Sequence, residues 1–261
     1  MDITRRSLLL SAAGVAMLGI VSDVNQRATA ECAVDAVGRI PYPAVAAHRG
    51  GAEIHAENTL AAFREASELG PQMVLEMDVR SLRDGTLVLS HDASVDRTSA
   101  NVMRGKTREM TGAKWSRVRI KHPAGGAPAQ ATFLREVLEE YGGTDRVLMI
   151  ELKDHGILDE FVDALWPYRD QVIACSFDAD NARAFTGSGL HSQLLGTPQP
   201  GAIPQGLHSV GVKDVEITKA ICREAHDKGT KVWAWGEHLR NNDHALLAMG
   251  VDGFIVNNPT I

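Results

Sequence analysis

Residues 74–92, VLEMDVRSLRDGTLVLSHD, contain the pattern that best predicts both the fold and the site. Glu76 and Asp78 stand two apart in an apolar, β-branched run, and a strand of period two points both carboxylates to the same face. Two carboxylates on one face repel each other unless a cation or a proton lies between them. Asp84-Gly85 then turns the chain, and a second apolar run ends in His91-Asp92. Carboxylates and an imidazole at neighbouring strand ends are typical of an active site.

The chain has 261 residues, of which 44% are hydrophobic and 23% are charged, and its formal net charge is -6. This length can bury a sizeable core and suits one large α/β domain or two small ones. A mildly acidic balance gives no support for nucleic-acid binding, because a surface that follows phosphates needs clustered Lys and Arg. The chain has three cysteines, Cys32, Cys175 and Cys222, and this odd number cannot all pair within one chain. Their spacing selects no pair and matches no metal motif.

Residues 1–30 have the pattern of a bacterial export signal. Thr4-Arg5-Arg6-Ser7-Leu8-Leu9 is a twin-arginine motif, an apolar run covers 8–21, and Ala28-Thr29-Ala30 offers a cleavage site. The alternative is a membrane anchor, but the apolar run is shorter than the ~20 residues that a spanning helix needs. We expect the twin-arginine translocase to export the chain, and cleavage to leave a periplasmic or secreted protein, residues 31–261, with no stable membrane anchor.

Strand-like and helix-like segments alternate through most of the remaining chain. The first strand candidate, 44–47, precedes a helix that Asn58-Thr59 can cap, and roughly eight or nine strand candidates follow one another in this way. A closed (β/α)₈ barrel is the simplest α/β architecture with this count. A doubly wound open sheet is the alternative, but no Gly-rich dinucleotide fingerprint supports it. Residues 93–130 interrupt the alternation, and an irregular segment of this length is usually a lid or a small subdomain, although a mobile insertion without a role would look the same.

Polar side chains stand where a barrel would place catalytic groups, at the carboxyl ends of the strand candidates. A core strand gains nothing from ending in Glu or His, so chance is a poor explanation of the pattern. The residues, in strand order, are His48 and Arg49 on the first, Glu76 and Asp78 on the second, His91 on the third, Glu151 and Lys153 on the fourth, and Trp235 on the penultimate strand.

Three of these residues supply hard oxygen ligands that suit Ca²⁺ or Mg²⁺: Glu76, Asp78 and Glu151. Each carboxylate alone could instead form a salt bridge with a nearby Arg or Lys. A Zn²⁺ site that uses His48 and His91 is a second alternative, but it would remove both histidines as proton carriers. Two histidines beside a carboxylate-bound metal suit paired general acid and base catalysis near neutral pH.

Two cations and Trp235, the candidates for substrate contact, complete the predicted site. Arg49 offers a fork for the non-bridging oxygens of a phosphate, and Lys153 offers a point charge. A metal, an Arg and a Lys around one pocket favour a phosphoester substrate, because negative charge grows on its oxygens in the transition state.

In order and spacing, these motifs closely resemble those of the glycerophosphodiester phosphodiesterase family. The match extends over essentially the whole chain after the signal. The matching motifs are His48-Arg49-Gly50, Glu57-Asn58-Thr59, Glu76-x-Asp78, Asp84-Gly85, His91-Asp92, Arg97-Thr98, Glu151-Leu152-Lys153, Ser176-Phe177, Trp235 and Gly250-Val251-Asp252-Gly253.

The resemblance implies a (β/α)₈ barrel with a small insertion, about 93–130, after the third strand. It implies a divalent cation, Ca²⁺ or Mg²⁺, at the three acidic positions, acid and base roles for His48 and His91, phosphate contact by Arg49, and a supporting role for Glu57. It also implies hydrolysis of a glycerophosphodiester to glycerol 3-phosphate and an alcohol, by attack of the glycerol 2-hydroxyl on phosphorus and later opening of a cyclic phosphate.

Three motifs depart from the family pattern at the barrel mouth, and they leave the choice of substrate open: Ala56 before Glu57, Gly236-Glu237-His238, and Val256-Asn257-Asn258-Pro259. One alternative is a lysophospholipase D or sphingomyelinase D relative, which apolar residues on the insertion would support, although they form no clean amphipathic stripe: Val102, Met103, Met110, Trp115, Val118 and Ile120. Another alternative is a binding protein that has lost its activity, but every expected catalytic position is filled.

Overall fold

A computed structural model describes residues 40–260, in which eight parallel strands close into a barrel. Each barrel strand pairs with its two neighbours in parallel, and β11 pairs with β1 to complete the circle. This closure confirms the predicted barrel over the open sheet. The barrel strands are β1 Ala44–Ala47, β2 Val74–Ser81, β6 Leu148–Leu152, β7 Val172–Ser176, β8 His191–Leu195, β9 Ser209–Lys213, β10 Lys231–Trp235 and β11 Gly253–Val256.

The third strand in chain order, β3 Leu87–Leu89, does not join the barrel, contrary to the prediction that His91 ends a barrel strand. β3 runs antiparallel to the end of β2, with Val79 opposite Leu89. A tight turn at Asp84-Gly85 connects the two strands, and parallel neighbours would need a crossover of about a dozen residues or more. The hairpin nevertheless carries His91 to the carboxyl end of β2.

Helices connect most of the barrel strands, and a side chain caps the start of some of them. The Thr59 hydroxyl caps α1, as predicted, by accepting a hydrogen bond from Ala62 N. The Thr132 hydroxyl accepts a hydrogen bond from Leu60 N, and α3 begins at Leu134. The helices are α1 Leu60–Ser67, α2 Gly112–Trp115, α3 Leu134–Tyr141, α4 Leu158–Leu165, α5 Ala179–Gly187, α6 Lys219–Asp227 and α7 Leu239–Met249, with 3₁₀ turns at His48–Gly50, Thr107–Glu109, Trp166–Tyr168 and Asp214–Glu216.

Apolar side chains that alternate inward fill the lower barrel and form a floor beneath the polar carboxyl end. Trp233 is fully buried there, and Gly253 leaves room for it, because a Cβ at Gly253 would lie 2.7 Å from the indole. The other members of this core are Ile40, Ala44, Ala46, Val74, Val147, Met149, Ile173, Cys175, Leu195 and Ile255. Cys175 and Cys222 are buried free thiols, while Cys32 lies outside the described residues.

The segment 93–130 packs as a small unit against the barrel. It contains α2 and a two-stranded hairpin, β4 Arg119–Ile120 and β5 Ala129–Gln130. Most of the apolar side chains predicted on this segment point into its own core, whereas Val102 is 81% exposed. Buried there are Met110, Trp115, Val118 and Ile120. Within residues 40–260, no helix is long and apolar enough to cross a membrane.

Candidate active site

Three buried carboxylates meet at the carboxyl end of the barrel. Glu76 and Asp78 point inward from β2, and Glu151 points inward from β6, where it is the register partner of Asp78. One oxygen from each side chain lies within 4.8 Å of the others. The convergence follows from the two-residue period of a strand combined with parallel pairing, since side chains two apart on one strand and opposite on the next face the same space.

Two cations and an amide compensate part of this negative charge. Lys153 Nζ lies 3.1 Å from Asp78 Oδ1 and 2.7 Å from Glu151 Oε1, and Arg49 Nε lies 3.2 Å from Asp78 Oδ2. Asn58 donates from Nδ2 to Asp78 Oδ2 at 2.8 Å and accepts from Asp78 N at 3.0 Å. The salt-bridge alternative is therefore realised for two of the acids, and Asp78 is the most heavily compensated of the three.

The carboxylates titrate very differently because compensation is uneven. Burial, together with the charges of Asp78 and Glu151, raises the pKa of Glu76 well above its usual range. Burial and the charge of Asp78 likewise raise the pKa of Glu151 to about 7. Burial opposes ionisation of Asp78 as well, but Lys153 and Arg49 hold its pKa well below the usual value. Three acids facing two cations leave one negative charge in excess, so the oxygen donors fit a hard divalent cation.

His48 lies in the 3₁₀ turn directly after β1, at the edge of the acidic cluster. Its Nδ1 is 2.5 Å from Asn257 Oδ1, and its Nε2 is 3.9 Å from Glu76 Oε2. Desolvation in the barrel end, reinforced by the charge of Arg49, lowers the pKa of His48 to about 4. The left-handed conformation of Arg49, at φ 53°, turns its backbone N–H toward Glu76 Oε2 at 2.7 Å. This turn therefore binds the acidic cluster through both main chain and side chain.

His91 follows β3, and it is near enough to His48 and to Asp78 to help lower the pKa of both residues. Its Nδ1 is 2.8 Å from Asp92 Oδ1. Arg80 donates from Nε and Nη2 to the His91 carbonyl oxygen at 3.0 and 2.8 Å, and it also pairs with Asp154. Burial lowers the pKa of His91, while Asp78 and Asp92 oppose the shift.

Glu57, predicted to support the site, binds two arginines. Arg97 donates to its two carboxylate oxygens at 2.7 Å each, and Arg49 Nη1 donates at 3.3 Å. Although burial opposes ionisation, these two guanidinium groups lower the pKa of Glu57. The sequence offered no chemical reason to single out Arg97, which stood out only as part of the Arg97-Thr98 family motif.

Trp235, predicted to contact substrate, lies at the barrel mouth at the end of β10. Its Nε1 donates to the Gly211 carbonyl at 3.1 Å, and its ring meets Phe177 edge to face, with centroids 6.1 Å apart. Phe177 is 55% exposed, and Lys153 Nζ lies 5.8 Å from its ring centroid. The structure thus places an aromatic wall beside the charged centre, to which Phe177 contributes although it was not predicted as a site residue.

Comparison with known proteins identifies this arrangement. Residues 48–261 match the model of the glycerophosphoryl diester phosphodiesterase family. The chain belongs to this family. Its predicted family, barrel fold and class of enzyme, a phosphoric diester hydrolase, are confirmed.

Relatives in this family match nearly along their full length. A glycerophosphodiester phosphodiesterase of Caldanaerobacter subterraneus subsp. tengcongensis is 29% identical over 229 residues, which cover 82% of this chain and 94% of the relative. The Thermotoga maritima enzyme structure aligns with TM-score 0.65 and 25% identity, over 82% of this chain and 93% of that one. An Oleispira antarctica phosphodiesterase in complex with sn-glycerol-3-phosphate shares the fold, with TM-score 0.69, 20% identity and coverage of 84% and 94%.

The raised pKa of Glu151 predicts a stability difference that can be measured without metal. A carboxyl group with a higher pKa in the folded protein than in the unfolded chain stabilises the fold below pH 4.5, and this contribution is lost as pH rises through about 7. In chelator, wild type should lose this contribution between pH 5 and pH 8, whereas Glu151→Gln has no carboxyl group to lose it. The free energy of unfolding of Glu151→Gln should therefore rise by roughly 2 kcal/mol relative to that of wild type over this interval. Urea unfolding at both pH values measures it.

Glu139→Gln is the matched control, because Glu139 is an exposed residue of α3. Its free energy of unfolding should follow wild type at both pH values. Identical pH dependence of Glu151→Gln and wild type would contradict the raised pKa.

Proposed function

We propose that this family member is a divalent-metal-dependent enzyme that hydrolyses glycerophosphodiesters to glycerol 3-phosphate and an alcohol, with two histidines as acid and base. The observation that carries the proposal is the buried cluster of Glu76, Asp78 and Glu151, with His48 at its edge and His91 near enough to affect the pKa of Asp78. The glycerol 3-phosphate bound to the Oleispira antarctica phosphodiesterase supports the same product here.

The three acidic residues would hold Ca²⁺ or Mg²⁺, and such an ion supplies positive charge that stabilises phosphoryl oxygens in the transition state. Every predicted ligand is a carboxylate oxygen. The pKa values of Glu76 and Glu151 are raised, and a bound cation would lower both by stabilising the ionised carboxylates. The Zn²⁺ alternative is less favoured, because it would use His48 and His91 as ligands and so remove both histidines as proton carriers.

The partners of the two histidines favour different roles. When Nδ1 carries the proton, His48 donates to the amide oxygen of Asn257, which leaves Nε2 as a free lone pair and a suitable base. His91 donates instead to the carboxylate of Asp92, which stabilises the imidazolium and suits a general acid. We assign removal of the glycerol 2-hydroxyl proton to His48.

In the first step the 2-hydroxyl oxygen bonds to phosphorus, and the bond from phosphorus to the leaving alcohol breaks. His91 gives its proton to that leaving oxygen. Water then opens the cyclic phosphate with the histidine roles reversed, which yields glycerol 3-phosphate and restores both side chains.

Arg49 and Lys153 border the place that a phosphate would occupy. Both contact Asp78 without being exposed, so they are held by the protein before substrate arrives. Arg49 suits two non-bridging oxygens, and Lys153 adds a compact charge. Trp235, with Phe177, would contact the organic part of the substrate at the mouth.

The distribution of apolar residues favours a water-soluble headgroup diester over a lysolipid. Within the insertion, Met110, Trp115, Val118 and Ile120 are buried in its own core. Among the apolar side chains predicted on this segment, Val102 is the one that is largely exposed. A single exposed Val provides little area for an acyl chain, so the insertion does not favour the lysophospholipase D alternative.

Metal removal should abolish glycerol 3-phosphate release from glycerophosphocholine, because the phosphate charge would then face the acidic cluster without a cation. Added Ca²⁺ or Mg²⁺ should restore release and also raise Tm. Glu151→Gln should weaken both effects, whereas Asp180→Asn should leave them intact, since Asp180 is exposed on α5. Full activity in chelator, confirmed by metal analysis, would contradict the metal requirement.

Each of His48→Ala and His91→Ala should lower kcat by at least ~100-fold, because each removes one proton-transfer group from the same reaction. Steady-state release of glycerol 3-phosphate by purified variants provides the measurement. His244→Ala is the matched control, an exposed histidine on α7. Wild-type turnover in either site variant would remove that histidine from the mechanism.

We also propose export through the twin-arginine route, on the strength of Arg5-Arg6 and the apolar run that follows. The signal, residues 1–30, lies outside the described residues. Replacing Arg5 and Arg6 together by Lys should trap full-length protein in the cytoplasm. Fractionation of a bacterial host that has the twin-arginine translocase measures this. Unchanged export of the double variant would argue against the route.

A further inference from the structure

One arginine of the insertion connects the two flanks of the site. Arg97 Nε lies 2.5 Å from Asp92 Oδ2, and its two terminal nitrogens each lie 2.7 Å from a carboxylate oxygen of Glu57. Asp92 Oδ1 contacts His91 Nδ1, and Glu57 Oε1 contacts Arg49 Nη1. Five side chains thus form a continuous set of hydrogen bonds from the predicted acid to the predicted phosphate ligand.

We propose that Arg97 is a positioning residue that fastens the His91–Asp92 turn to Glu57 and so aims His91 at the leaving oxygen of the substrate. The inference rests on the proposed function, because it takes the acid role of His91 from there. Arg97 itself acts only through Asp92 and Glu57 and transfers no proton.

The fold explains why His91 needs such a support. His48 follows β1, which has a barrel strand on each side, whereas His91 follows β3, which lies outside the barrel and pairs with β2 over three residues. Arg80 fixes the main chain of His91 through its carbonyl oxygen. That contact leaves the direction of the imidazole to the bond with Asp92.

Each carboxylate oxygen of Asp92 has a hydrogen-bond partner. Oδ1 contacts His91 and Oδ2 contacts Arg97, so a rotation that releases the imidazole must also break the bond to the guanidinium. Arg97 is in turn held in place by the two-pronged contact with Glu57, a geometry in which a planar guanidinium fits a carboxylate. Lysine would keep the charge but lose the planar fork that makes the two-pronged contact with Glu57.

The test compares two diesters that differ only in leaving group, glycerophosphocholine and the p-nitrophenyl ester of glycerol phosphate. Choline must be protonated as it leaves, whereas nitrophenolate leaves without a proton. We expect Arg97→Gln to lower kcat for the choline ester roughly 10- to 100-fold with little change in KM, and to lower kcat for the nitrophenyl ester far less. Arg97→Lys should fall between Arg97→Gln and wild type.

Arg104→Gln is the matched control, because Arg104 is an exposed arginine of the same insertion whose side chain donates to the neighbouring Met103 carbonyl. It should behave as wild type on both diesters. Losses from Arg97→Gln and Asp92→Asn should combine to much less than their product, because both changes break the same bond. Thermal unfolding checks each fold, and if Arg97→Gln does not fold, Arg97→Lys carries the comparison of the two diesters.

Wild-type kcat in Arg97→Gln, an equal loss on both diesters, or fully multiplicative losses with Asp92→Asn would each overturn the positioning role. These results are distinct from a failure of the proposed function. Wild-type turnover in His91→Ala would remove the acid itself, whereas an inactive His91→Ala beside an unaffected Arg97→Gln would reject only the role of Arg97.

Discussion

The charge of Asp78, buried in the carboxyl end of the barrel, is the constraint on which the rest of the site depends. An isolated carboxylate would be neutralised by protonation in such a place. Here two cations and the amide of Asn58 keep it ionised. The same cations do not compensate the charge of all three acids, so the pKa values of Glu76 and Glu151 are raised. The three carboxylates therefore have less positive charge beside them than full ionisation would need, and the metal ion that we propose would supply it.

The barrel can hold this concentration of charge because its interior has an apolar layer that is separate from the charged layer at the carboxyl end. The lower interior is apolar and closely packed around Trp233, and it fixes the strands that carry the acids. Parallel register then sets Asp78 beside Glu151 without any need for a loop to fold correctly. The remaining predicted site groups lie at or just after strand ends, in the turn with His48, the hairpin with His91 and the aromatic pair of Trp235 and Phe177 at the mouth.

Sequence predicted the parts of the site that follow from strand period and strand order. It placed Glu76, Asp78 and Glu151 together because an inward-facing pair and a strand end leave little freedom. It failed where the same pattern serves two topologies, since short apolar runs such as Leu87–Leu89 look alike in parallel and antiparallel strands. It also read Asn58 only as a helix cap, although Asn58 binds Asp78 on both sides of its amide. Contacts between segments distant in sequence, as between Arg97 and Glu57, leave no periodic signal.

The two histidines are held by unequal means, and this inequality bears on how the site can be tuned. His48 is bound to the barrel through its strand and through Asn257, which follows the last barrel strand, so its position changes only if the barrel changes. His91 depends on side chains from a hairpin and from the start of the insertion. Under the proposed mechanism, substitutions in the insertion would shift the side of the site where the alcohol leaves, while the acidic cluster and His48 stay fixed. The insertion would then be the part of the fold through which leaving-group preference varies without loss of the reaction.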